Sequence, residues 1–506
     1  MARRVFGDRA RAPRGIEARA RESQANEAAV SPKRFPFRFW AALLAVTAFA
    51  AALRFYKLAE WSYWSDEAFT ISDANSFYLD HSGRRPEHGL SFRIYGLWFQ
   101  WAKSLQIPFD EFVARFLPAV FGAAGVFFTG ALGARAGGRW AAIFAALLLA
   151  ISPFHLYWSQ NARSYALEVS LAIPAGLVLG SALLTARAWE FLLGAVLLTG
   201  AAFAHPSALT IVPGLLLFGI VGRTFGAERA IRMPWKWILL GSGAVAAIVT
   251  LSPLGRSIWV HFQVKAGASP ALFLTTTAYY FRPALLACAA LLAINGIIRK
   301  DRKSLFFTFL SFGTLAFGFA ASCVVRANSQ YVIAALPFFA LLIGREIVYL
   351  AWLPVRGARV SALALAAVLI ADFTGGAFMY FGPENGHRAK WREACNYVFD
   401  RKMNDDVIAA TQAPIVECYL NPSNPLPRTT QASIYLGPFE PYKFETVVRL
   451  SRRAWFLVLE VDLDEWKRPD RARFEAFLRE RCRAVAEWPL QFGGKDQSLR
   501  IWRYDP

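Results

Sequence analysis

Residues 37–68 read FRFWAALLAVTAFAAALRFYKLAEWSYWSDEA. Residues 37–57 are almost wholly apolar, long enough to cross a hydrocarbon layer about 30 Å thick. The run ends in a cluster of aromatic residues and then in two adjacent carboxylates, Asp66 and Glu67. A charged pair costs free energy beside lipid, so one held just past a span is kept for a purpose.

Outward from this stretch, apolar runs recur through residues 37–381. The 506-residue chain is 56% hydrophobic with a mean hydropathy of +0.32. Soluble domains sit at roughly 45–50% apolar. The composition therefore calls for a polytopic α-helical membrane protein. The net charge of +20 raises nucleic acid as a partner, but its distribution excludes it. The basic residues gather in the tail (Arg3, Arg4, Arg9, Arg11, Arg14, Arg19, Arg21, Lys33, Arg34) and in short turns between apolar runs, the positive-inside pattern. Residues 1–36 read as a basic, disordered cytoplasmic tail. Arg3-Arg4 echoes a twin-arginine signal, but no apolar segment follows closely.

Spans are expected at 37–57, 114–133, 140–153, 165–185, two within 190–222 broken at His205-Pro206, 237–253, 284–298, 304–322, 331–349 and 360–380. That is about eleven, an odd number, so the C-terminus belongs on the side opposite the basic tail. Residues 58–110 form a long first outer loop, in which 89–103 suits a helix lying at the interface. Residues 154–164 and 254–283 read as outer loops. From residue 382 charged residues become frequent. Asp406–Thr411 and Trp455–Val461 read as strands, and Trp391–Lys402 and Pro469–Cys482 as amphipathic helices. Residues 382–506 are thus expected to form a soluble α/β domain, periplasmic or extracellular. The five cysteines lack metal spacing, and Cys395, Cys418 and Cys482 could supply one disulfide.

Asp66 suits a general base that takes the proton of an acceptor hydroxyl; the plain alternative is a solvated loop pair. In the segment Ser152 to Tyr165, Arg163 could fork onto a phosphate. Tyr157, Gln160 and Tyr165 could donate to phosphate or sugar, or the segment could be an interfacial Arg–Tyr belt. Glu87, His88, His205 and His261 all fall in outer loops and could together hold a divalent metal, the one cofactor this sequence suggests. They could equally be ordinary polar loop residues. Arg282, Arg326, Gln330 and Tyr331 line other outer span ends, where they could meet lipid phosphates.

Several of these pieces occur in an order that resembles the bacterial relatives of dolichyl-phosphate-mannose protein mannosyltransferases, within the GT-C class. The aminoarabinose–lipid A transferases are a related branch. The resemblance covers about residues 37–400. It rests on Asp66-Glu67, Arg115-Phe-Leu-Pro118, Ser152-Pro-Phe-His-Leu-Tyr157, Ser159-Gln160-Asn161-Ala-Arg163-Ser-Tyr165, and Tyr331 to Pro337. It implies a GT-C fold and Asp66 as catalytic base, with Glu67 its structural or substrate-binding neighbour. It also implies that Arg163 and Tyr165 lie close to a carrier phosphate, with Gln160, Asn161, Tyr157 and His88 nearby. Two departures stand out. Relatives often carry His-Pro-Pro where this chain has His88-Gly89-Leu90, and Glu where it has Asn161. Asn161 cannot act as an anion.

The function expected is an inverting glycosyltransferase of the inner (cytoplasmic) membrane. It would move a sugar from a polyprenyl-phosphate donor, undecaprenyl by the bacterial resemblance, to a lipid, glycan or protein acceptor on the outer face. The alternatives are a lipid or polysaccharide transporter, or a non-catalytic scaffold. Transporters place ionisable residues near the midplane in two related halves. Here the notable charges sit at outer span ends and the halves look unalike.

Overall fold

The computed structural model describes residues 35–79, 88–185, 187–221, 260, 263, 265–420 and 433–506. The expected tail, the span at 237–253, Glu87 and His261 lie outside the described residues. The chain packs as two units, one ending at Ala42 and one running from Leu43 to Pro506. All contacts described below lie within the second.

Among the described residues, six helices are long and apolar enough to cross a membrane: Phe37–Phe55, Glu111–Gly137, Tyr165–Thr185, Arg302–Ser322, Ser329–Trp352 (entered through a 3-10 turn) and Arg356–Phe381. Two bent pairs raise the number to eight, and Ala188–Ala204 and Pro206–Val221 are shorter apolar helices. The protein is a multi-pass membrane protein. About eleven spans were expected, against six to eight that qualify by length and composition among the described residues, and two segments differ from the sequence reading. The run at 140–153 is a helix, Arg139–Ile151, that bends by 64° into a second helix, Pro153–Ser159. Pro153 has no N–H to continue the first helix, while the Ser152 side chain accepts from His155 N and starts the next. The expected outer loop at 154–164 therefore begins as a buried helix. Likewise, the loop expected at 254–283 contains the helix Pro270–Phe281, which turns by 90° into Pro283–Ile298 at Arg282.

Small residues let these helices approach closely, as membrane packing requires. A Cβ on Gly344 would stand 2.4 Å from the Ala141 carbonyl oxygen, and one on Gly214 2.5 Å from that of Phe309. At one end of the bundle, Asp301 caps the helix Arg302–Ser322 and takes two hydrogen bonds from Arg345, at 2.6 and 2.7 Å.

After a short turn, residues from Trp391 onward build a five-stranded sheet in the order β2-β1-β3-β7-β4. The strands are β1 (Val407–Ala410), β2 (Ser433–Tyr435), β3 (Ala454–Leu459), β4 (Cys482–Trp488) and β7 (Leu499–Tyr504). A small hairpin, β5 (Gln491–Phe492) with β6 (Lys495–Asp496), stands apart. β1 runs parallel to β2 and β3, while β7 is antiparallel to β3 and β4. Alternation along the strands divides two cores. Ala409, Phe456 and Val458 pack with the helices Lys443–Leu450 and Arg468–Arg481. Ile408, Ala410, Trp455 and Leu457 share a core with Ile415 and Val416, and also with Ala68, Ile71, Phe92 and Phe99. This face of the sheet is therefore packed on the helices of the first loop. The five cysteines are all free thiols, with Cys395 and Cys418 buried in that same core.

In this domain Asp462 is pushed up to about 7 by burial, against the lowering effect of hydrogen bonds from Thr411 and Gln412. The folded state then holds a proton that the unfolded chain releases. Stability is full below about pH 4 and is lost as the pH climbs through about 7. Thermal melting of the purified protein across this range should show that slope, and Asp462→Asn should flatten it. An unchanged slope in the variant would remove Asp462 as its source.

Candidate functional site

Asp66 and Glu67 occupy the first turn of the helix Ser65–Leu79, where a helix N-terminus favours negative charge. Adjacent helical residues point about 100° apart, and the two carboxylates meet different surroundings. Glu67 is fully buried. Arg115 donates to both its oxygens, Nε to Oε1 and Nη2 to Oε2, each at 2.7 Å. The Ala162 N–H donates to Oε1 at 2.8 Å, and Arg388 Nε lies 3.6 Å from Oε2. Burial alone would raise the Glu67 carboxyl, but the Arg115 and Arg388 guanidinium groups hold it below the ordinary carboxylate range. Arg115 also donates to the carbonyls of Leu58, Trp61 and Ser62, so the pair ties the loop to the membrane helix. Both Glu67 oxygens are thus engaged within the protein, and the pair acts as a tie between loop and helix.

Asp66 differs. Its side chain is 36% exposed, and its nearest cation is Arg163 Nη2 at 3.7 Å. Arg163 is held by its other nitrogen, with Nη1 donating to the Asp66 carbonyl at 3.3 Å and to Thr70 Oγ1 at 2.9 Å. Burial opposes the charge on Arg163, but Asp66 and its phenol neighbours keep it firmly cationic.

Around this pair, buried polar atoms lack partners. Trp158 Nε1, Asn161 Nδ2, Arg163 Nε and Tyr165 Oη have no partner at hydrogen-bond geometry among the described residues, although the Arg163 and Tyr165 side chains lie close enough to interact with each other. Leaving such a group unpaired costs about 1–3 kcal/mol. Asn161 Oδ1 is committed to Trp64 Nε1 at 3.0 Å, so it is the amide's donor end that is left over. Trp158 and Tyr165 rings pack at 4.2 Å, and Tyr165 meets His205 at 4.5 Å. His205 stacks on Tyr331 at 5.9 Å and meets His88 at 4.7 Å. Beyond Tyr331 stands Lys265, whose ammonium donates to the Tyr331 hydroxyl and lies 4.5 Å from its ring centre. No carboxylate pairs with Lys265 among the described residues.

The structure therefore gathers Asp66, Arg163, Tyr165, Asn161, His88 and His205, adding Lys265 and Tyr331. Two expected ligand-binding residues are engaged elsewhere. Gln160 Nε2 donates to the carbonyls of Leu53, Arg54 and Tyr56, at 3.3, 2.9 and 2.7 Å, and so closes the end of the first membrane helix. Tyr157 packs under the Arg388 guanidinium at 4.8 Å and against His387 at 5.3 Å. The sequence reading also passed over Arg388 and Lys265. Neither lies in a periodic run, and each matters only through residues far away in the chain.

Of the expected metal ligands, only His205 and His88 are described. His205 Nδ1 is 2.6 Å from Ser207 Oγ, which donates to both oxygens of the buried Glu168 at 2.9 Å. Among the described residues no three His, Cys, Asp or Glu side chains converge on a metal position.

No protein-family model matches the chain, and no curated protein matches it in sequence. Solved structures do. ArnT from Cupriavidus metallidurans bound to undecaprenyl phosphate is 11% identical and superposes with a TM-score of 0.53, over 92% of this chain and 98% of that one. The archaeal oligosaccharyltransferase AglB from Archaeoglobus fulgidus, in complex with an inhibitory peptide and a dolichol-phosphate, is 10% identical with a TM-score of 0.53, over 91% and 74%. The A. fulgidus oligosaccharyltransferase complex with Zn and sulfate is 11% identical with a TM-score of 0.52, over 90% and 72%. The likeness is one of fold, and the fold is the GT-C fold with a small C-terminal sheet domain.

Proposed function

We propose that this chain, a multi-pass membrane protein with the GT-C fold, transfers a sugar from a polyprenyl-phosphate carrier to an acceptor hydroxyl on the outer face of the cytoplasmic membrane. The observation that carries the reading is the group of buried, unpartnered donors between Trp158 and Tyr165, beside a carboxylate left open to solvent. Donors without partners suit an incoming anion, and an open carboxylate suits an incoming hydroxyl. The undecaprenyl phosphate in ArnT and the dolichol-phosphate in AglB support a lipid-linked phosphate as that anion.

In this mechanism Asp66 takes the acceptor's proton as its oxygen attacks the anomeric carbon. The bond to the carrier phosphate breaks, and polyprenyl phosphate leaves with the electron pair. A single displacement inverts the anomeric centre. Arg163 Nε and Tyr165 Oη donate to the phosphate oxygens as negative charge develops, with Lys265 as a second cation across Tyr331. Glu67 keeps the loop in place from below. The acceptor can be lipid, glycan or protein.

Mass spectrometry of the glycolipids and envelope glycans of a deletion strain tests the reading: one sugar should vanish from one acceptor. A deletion with every glycan intact would overturn it. The phosphate contact has its own check. Arg163→Ala should weaken binding of undecaprenyl phosphate to the purified protein by roughly ten- to a hundredfold, the worth of hydrogen bonds to a charged group. Unchanged binding would place the phosphate elsewhere.

A further inference from the structure

The approach to Asp66 is held from the far end of the chain. Tyr419, on the helix Ala413–Leu420 of the soluble domain, places its hydroxyl between two partners. It accepts from Tyr63 N–H at 2.8 Å and donates to Glu111 Oε1 at 2.7 Å. Burial and the Glu111 charge push the phenol well above its ordinary range, so its one proton stays committed to Glu111. Arg392 grips the same loop. Its backbone N–H donates to Ser62 Oγ at 2.9 Å, its Nη2 to the Ala59 carbonyl at 2.6 Å, and its Nε to Glu111 at 3.0 Å. Arg388 lies over the Trp64 ring at 5.3 Å and reaches Glu67. Gly386, at φ +61°, lets the backbone press on Trp61, where a Cβ would stand 2.3 Å from the indole. Hydrophobic packing runs the same way, because the sheet and the Asp66 helix share one core.

We propose that the C-terminal α/β domain is a positioning element of the transfer site, with Tyr419 and Arg392 fixing residues 59–67 and thereby the place of Asp66. The proposal rests on the transfer reading above. None of these residues reaches the group of unpartnered donors, so they act through Asp66 and not on the phosphate. A shift of about 1 Å in a reacting group can cost about a hundredfold in rate. Loss of the Tyr419 hydroxyl removes both of its hydrogen bonds at once and leaves the Tyr63 N–H unpaired.

The test uses the full chain, purified, with the donor sugar identified from the deletion strain. Tyr419→Phe should bind undecaprenyl phosphate as the parent does and keep its KM for the donor. Its kcat per folded molecule should fall roughly ten- to a hundredfold, and amide exchange over residues 61–67 should rise. Arg392→Lys, which keeps the charge beside Glu111 but loses the fork to Ala59, should show the same kcat-specific loss and serves if Tyr419→Phe fails to fold. Full-rate transfer by the folded variants, or a loss that merely follows the folded fraction, overturns the proposal. Asp66→Asn run alongside separates the two claims. If it is dead while Tyr419→Phe runs at full rate, only the positioning role falls. If it transfers at the parent rate, the transfer reading itself falls.

Discussion

Asp66→Asn should fold and accumulate like the parent and transfer sugar at least about 10²- to 10⁴-fold more slowly, the usual contribution of a general base. The expectation of intact folding comes from its surroundings. The carboxylate is 36% exposed and its one ion pair is long, at 3.7 Å. Such pairs contribute about 0–1 kcal/mol. The hydrogen bonds that hold this turn use the Asp66 carbonyl, which asparagine keeps. The loss of rate comes from chemistry, since an amide cannot take the acceptor's proton. The measurements are the melting temperature of the purified variant and the sugar it restores to a deletion strain. Parent-level restoration would remove Asp66 as the base.

Glu67→Gln should fail in the opposite way. The change leaves Arg115 charged and fully buried without its hydrogen-bonded counter-ion, and Arg115 holds three carbonyls of the loop. Breaking a buried pair on one side costs about 3–5 kcal/mol. The variant should therefore accumulate poorly and melt well below the parent, whatever residual transfer its folded fraction shows. Arg115→Lys should fare little better, because a lysine cannot fork onto both carboxylate oxygens and also reach the carbonyls. Yield of monodisperse protein and its melting temperature decide the matter. A Glu67→Gln protein as stable as the parent, but inactive, would return Glu67 to the chemistry. Two neighbours of like charge are thus expected to lose different things, one rate and the other fold.

Much of the architecture was legible because it depends on local pattern. The length of apolar runs marks spans such as Tyr165–Thr185, whose bounds agree with those read from the sequence. The break at His205-Pro206 and the helix at Gly89–Ser104 were visible for the same reason. Short apolar runs marked β1, which lies within the expected Asp406–Thr411, and β3, which overlaps the expected Trp455–Val461 and is buried throughout. The bends at Ser152-Pro153 and at Arg282 were harder, because an apolar helix and an apolar bent pair have nearly the same composition. The edge strand β4 was also not legible, since its exposed positions dilute the apolar signal.

What the sequence determined by itself is that this chain is a multi-span membrane protein with an α/β tail, and that Asp66-Glu67 and Ser152 to Tyr165 are its candidate site segments. Run length, periodicity and charge placement are properties of neighbouring residues, so they need no fold to be read. Only the tertiary structure decided which carboxylate is open and which is locked. It alone assigned Gln160 to three backbone carbonyls and brought Lys265 beside Tyr331. It also seated Tyr419 on Tyr63 across 356 residues. Partner choice over such separations follows from how whole helices and sheets pack. No local pattern records which of two adjacent carboxylates will face an arginine and which will face water.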